Sequence, residues 1–142
     1  MPDHLPDKLR KRVALRAGFT CEYCLVHEDD MYYTFQIDHI ISLKHGGTSA
    51  FDNLAYACPL CNAYKGSDIG TIVYPKGNFV RLYNPRVDRW STAFAIEGAV
   101  ITALTEIGQA TIGVLQLNHS RRLPIRDLLA QQGRYPGRRV SS

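Results

Sequence analysis

Two C-x-x-C pairs, Cys21/Cys24 and Cys58/Cys61, and an adjacent Asp38-His39 between them are the residues whose types and spacing could do chemistry. Two intervening residues let the backbone turn so that both thiolates face one ion, and each pair therefore suits one edge of a tetrahedral zinc site. Two disulfides or four buried thiols would use the same residues. The paired spacing favours zinc, as does an N-terminal "MPDHLPDKLRKRVALRAG" without the apolar run of a signal peptide, which points to a cytoplasmic, reducing setting. Four thiolates leave no open position for a reacting water, so the expected zinc is structural and catalysis must lie elsewhere.

A zinc held by both pairs ties residue 24 to residue 58 and turns the 33 residues between them into a loop anchored at each end. Asp38, His39 and Asn53 lie in that loop, and Asn62 directly follows the last cysteine. A carboxylate, an imidazole and two carboxamides are thereby gathered near one another. Oxygen donors of this kind suit a hard divalent cation such as Mg²⁺ or Mn²⁺, which keeps several waters and takes the rest of its shell from a phosphate.

The segments C-E-Y-C (21–24), D-H (38–39), N-L (53–54), C-P-L-C-N (58–62) and K-G (65–66) together resemble the HNH endonuclease family, over roughly residues 8 to 68. The later "LYNPRVDRW" and "EIGQATIGVLQLN" look like the tails of small stand-alone bacterial proteins of this kind and carry no catalytic motif. The resemblance implies a ββα-metal fold, DNA as partner and phosphodiester hydrolysis as activity. His39 is then the general base, Asp38 and Asn62 hold a catalytic Mg²⁺ or Mn²⁺, and Asn53 supports the loop. Position 62 is Asn where the family's name has His, and both types occur there. A zinc-dependent nucleic-acid-binding module without hydrolysis is the alternative.

The elements that must position these groups can be read from patterning. "DKLRKRVALRA" spaces Leu9, Val13 and Ala17 as a short basic helix that stops at Gly18. "YTFQIDHI" and "NLAYA" read as a hairpin around "SLKHGGTSAFD", and a short helix is expected from near Asn62. Successive strand side chains point to opposite faces, so Asp38 and His39 cannot both face the core. Beyond about residue 72, "NFVRLYNP" and "WSTAFAIEGAVITALT" predict added strands with a bend at Gly98, and "EIGQATIGVLQLN" and "PIRDLLAQQ" predict helices. The fold class is therefore α+β in a single domain over 1–142. It comprises a zinc-stapled core of about residues 8–70, a C-terminal extension of about 71–135 with Phe79 to Leu117 as core around Trp90, and a frayed basic tail of about 133–142.

Charge is concentrated at the ends. Residues 1–20 hold five Lys/Arg against two Asp, and residues 121–142 hold six Arg against one Asp, within a net charge of +4. Arg10, Lys11, Arg12 and Arg16 are candidates for phosphate contact, a solvated helix face being the other reading; His45 is a candidate for substrate contact or a solvated loop residue, and Lys65 either meets a phosphate or covers the helix. His4, His27 and His119 have no motif partner and read as surface residues. No stretch is long and apolar enough to span a membrane, and the expected oligomer is a monomer or a homodimer.

Overall fold

A computed structural model describes residues 5–138; His4 and the last four residues of the expected basic tail lie outside it. Helix α1 spans Asp7–Ala17 and buries Val13, Ala14 and Ala17, and Gly18 ends it in the left-handed conformation. Strand β1 (Gln36–His39) pairs antiparallel with β2 (Leu54–Ala57), setting Asp38 opposite Ala55 and His39 opposite Leu54. β1 is shorter than its β-forming sequence because the Phe35 amide donates to the Glu28 carboxylate at 2.8 Å instead of joining the ladder.

Helix α2 (Pro59–Lys65) begins three residues earlier than expected, with Cys58 as N-cap. Pro59 costs nothing at the first helical position, where no backbone N–H is needed. Strands β3 (Gly70–Val73) and β4 (Asn78–Arg81) form a second hairpin. A four-residue helix α3 (Trp90–Ala93) leads into β5 (Phe94–Glu97), which turns at Gly98 into β6 (Val100–Ala103). Helices α4 (Glu106–Leu115) and α5 (Leu123–Gln131) close the chain. The architecture is α+β, and the described residues form three separate two-stranded sheets and one continuous core running from Val13 through Tyr23 and Leu54 to Trp90 and Leu115.

The extension is stitched to the first half by polar as well as apolar groups. Trp90 donates its indole N–H to the Tyr23 carbonyl at 2.9 Å and packs on Phe94, so it anchors both halves. Arg86 pairs with the buried Glu22, whose other oxygen accepts the Tyr56 amide at 2.8 Å. Phe79, expected in the core, is instead 61% exposed, its ring lying over Gly70. The tail does not fray as far as residue 138. Tyr135 is buried and donates to the Cys24 carbonyl at 2.8 Å, and the Gly137 amide donates to the Leu25 carbonyl at 2.7 Å. Gly137 lies so close to His27 that a Cβ there would sit 2.8 Å from the His27 amide nitrogen.

Candidate active site and metal centre

The two cysteine pairs meet between the turn after α1 and the N-terminus of α2. In each pair the second cysteine's amide points back at the first sulfur, Cys24 N–H to Cys21 Sγ at 3.4 Å and Cys61 N–H to Cys58 Sγ at 3.3 Å. Leu25 takes a left-handed φ of 66° to complete the first turn. The four sulfurs lie within 4.8 Å of one another, with Cys24 and Cys58 at 3.8 Å. A zinc–sulfur bond of about 2.3 Å places tetrahedral sulfurs about 3.8 Å apart, so the cluster fits zinc. The buried thiols also perturb one another. Hydrogen bonds from the other three sulfurs hold Cys24 well below the ordinary thiol value, while burial pushes Cys21 and Cys61 well above it and the Cys21 hydrogen bond does the same to Cys58. Without a cation the four sulfurs cannot all ionise in that space.

Asp38, His39 and Asn62 border one open groove, together with Arg10, Lys44, Ser42 and Ser67. Asp38 is 3% exposed and His39 half-buried, as strand alternation requires, yet both reach the groove because His39 ends β1. Asp38 is already partnered: Tyr23 donates its hydroxyl to Oδ2 at 2.6 Å, and the Lys65 ammonium meets Oδ1 at 3.1 Å. Burial pushes the Asp38 carboxyl above its ordinary value, against the pull of Lys65 and Tyr23.

Lys65 is 1% exposed, and its other two protons go to the carbonyls of His39 and Ile40 at 3.0 and 3.1 Å. An ammonium has three protons, so none is left for a phosphate, and the expectation that Lys65 contacts nucleic acid is overturned. The side chain instead pins the end of β1 to the last turn of α2.

His39 Nε2 lies 2.9 Å from the Ser49 hydroxyl. Asn53 clamps the intervening loop: Oδ1 accepts the Ile41 amide at 2.9 Å, and Nδ2 donates to the carbonyls of Ile41 and Thr48 at 2.9 and 2.7 Å. Gly47 must be glycine for that clamp to close, since a Cβ would lie 1.7 Å from the Ile41 oxygen. The Asn62 carboxamide, half-buried beside Cys61, has no hydrogen-bonded partner among the described residues. The donor set fits a hard cation. A carboxylate offers about four acceptor positions, of which Asp38 has committed two, and Asn62 adds a free carboxamide oxygen.

The basic candidates separate. Arg10 reaches the groove, Lys11 is exposed, and Arg12 stacks at 4.2 Å over the Phe51 ring while remaining exposed. Arg16 folds inward. It donates to the Phe51 carbonyl at 2.8 Å and to that of Leu54, and stacks on Phe51 at 3.7 Å, so it fastens α1 to β2 and is no free phosphate ligand. His45 is exposed in the loop. Of the C-terminal arginines, Arg122 and Arg126 are buried and Arg134 pairs with Asp30. His27 and His119 are half-buried, each accepting a backbone amide two residues on. Sequence reasoning missed Lys44, Ser49 and Tyr23. Lys44 and Ser49 carry no motif signal, and Tyr23 is hidden as a variable position inside the first cysteine pair.

Residues 21–68, which hold all four cysteines, Asp38, His39, Asn53 and Asn62, match the family model described as HNH endonuclease. That match, with the cysteine cluster, is consistent with an HNH-type ββα-metal module in this segment and suggests a nuclease-type function. No curated protein and no solved structure matches the chain. Among the described residues, no helix is long and apolar enough to cross a membrane.

Proposed function

We propose that the protein is a metal-dependent endonuclease that hydrolyses phosphodiester bonds in DNA, with His39 as general base. The observation that carries this reading is the convergence of Asp38, His39 and Asn62 on one groove beside the four-cysteine cluster, inside the segment that matches the HNH model. A neutral His39 that donates Nε2–H to Ser49 keeps the Nδ1 lone pair for a water molecule. It takes one proton from that water as the oxygen attacks phosphorus, and the opposite P–O bond breaks to release the leaving strand as its alkoxide. Asp38 and Asn62 would hold Mg²⁺ or Mn²⁺, which when bound supplies charge neutralisation at the phosphate and the leaving oxygen. Arg10 and Lys44, on the rim of the groove, orient the backbone phosphates, and Asn53 keeps the loop that carries Ser49 in register with His39.

The test is nicking of supercoiled plasmid in Mg²⁺ and in Mn²⁺ by the wild-type chain and by His39→Ala. Metal-dependent nicking that His39→Ala loses supports the reading, and equal nicking by both eliminates His39 as base. A second reading is favoured by one specific contact. Lys65 and Tyr23 already occupy one acceptor position on each Asp38 oxygen, which would suit a module that binds nucleic acid without hydrolysing it. DNA binding with no nicking in either metal would select it.

A further inference from the structure

The turn between α4 and α5 carries Arg122, a buried arginine that the nuclease reading does not use. Its Nη2 lies 3.1 Å from Cys61 Sγ and 3.8 Å from Cys58 Sγ, and its Nη1 donates to the carbonyls of Leu115 and Gln116 at 2.9 and 3.3 Å. One guanidinium therefore joins the C-terminal end of α4 to the cysteine end of α2.

Four thiolates on one zinc carry two negative charges in excess, which a buried site must balance. On the Cys21/Cys24 side, the Tyr135 hydroxyl donates to the Cys24 carbonyl and not to a sulfur. The Cys58/Cys61 pair has Arg122.

We propose that Arg122 is the built-in counter-cation of the zinc centre, positioning and quieting the Cys61 thiolate through an N–H···S hydrogen bond. It draws electron density from the sulfur and lowers its reactivity toward protons, chelators and alkylating agents. The segment that matches the HNH model ends at residue 68, so the metal of that module is guarded by a residue of the extension. This rests on the four cysteines holding zinc.

The full-length chain tests it, with Arg122→Met compared against Arg126→Met. Arg126 is equally buried and donates to the Ala99 and Leu117 carbonyls and to Asn118 Oδ1, but to no sulfur. Both variants should lose thermal stability. Only Arg122→Met should hand its zinc to a chromophoric chelator faster under native conditions, by roughly tenfold or more, the scale typical of partners that support metal ligands. In Co²⁺-substituted protein, only that variant should move the sulfur-to-cobalt charge-transfer band to lower energy, a change that a packing defect would not produce. Zinc release as slow as wild type, or equally fast in Arg126→Met with no band shift, would overturn the proposal.

If Arg122→Met does not fold, ¹¹³Cd-substituted wild-type protein decides. An Arg122 guanidinium proton scalar-coupled to cadmium through the sulfur supports the hydrogen bond, and no such coupling rejects it. Wild-type protein that neither contains zinc nor gives a tetrathiolate Co²⁺ spectrum would refute the metal centre itself, a result distinct from any difference between the two arginine variants.

Discussion

The two faces of α2 make a contrast. Cys61 faces a closed cluster in which every sulfur is buried and Arg122 supplies a compensating charge. One residue on, Asn62 borders an open groove with a carboxamide that has no hydrogen-bonded partner among the described residues, and Lys65 at the end of the same helix holds Asp38. Each face has a buried cationic side chain, Arg122 against two sulfurs on one and Lys65 against the Asp38 carboxylate on the other. The enclosed side is built for permanence, because its ligands are buried and removing Arg122 would leave the excess negative charge of the thiolates without its cation. The open side keeps acceptor positions on Asp38 and Asn62 available to something that comes and goes.

The largest effect should come from breaking the closed face. Cys58→Ser should abolish cooperative folding, since structural zinc contributes on the order of 10 kcal/mol, comparable with the whole stability of a small domain. Zinc content and a thermal melt measure it, and a zinc-free variant that melts like wild type would reduce the cluster to ordinary packing. On the open face, Lys65→Met leaves the Asp38 carboxylate buried without its cation and should cost about 3–5 kcal/mol in urea unfolding. A stable Lys65→Met that merely binds DNA less tightly would restore the lysine to the phosphate-contacting surface.

His39→Ala should sharpen the contrast by separating chemistry from structure. Nicking should fall by about 10² or more, equivalent to about 2.7 kcal/mol of barrier, while zinc content and melting temperature stay near wild type. Asn53→Ala removes three hydrogen bonds that close the loop and should lower stability by about 1–3 kcal/mol, with activity falling alongside. The smallest effects separate two neighbouring arginines. Arg16→Ala should cost about 1–2 kcal/mol through its lost carbonyl contacts, whereas Arg12→Ala should leave the melt within about 0.5 kcal/mol and flatten the salt dependence of DNA binding. Equal melts and equal salt slopes for the two variants would remove the distinction.

The cysteine spacing, the helix that ends at Gly18, the hairpin around the paired glycines and the bend at Gly98 were all legible in the sequence. Each depends on chemistry confined to a few neighbouring residues: a turn between two ligands, a left-handed cap, an alternating strand. The positions of Asp38, His39, Asn53 and Asn62 were also legible, because a motif is a local pattern. What those side chains touch was not. Lys65 and Arg16 look like surface cations in the sequence, and only the packing of α2 on β1 and of α1 on β2 turns them inward to meet backbone carbonyls. The C-terminal arginines read as a basic tail for the same reason. Charge counts along a chain carry no information about which charges are neutralised at long range, and the sulfurs that hold Arg122 lie more than sixty residues away. Burial and pairing are properties of the assembled fold, since the cost of desolvating a charge is met only when chain closure brings its partner within hydrogen-bond distance.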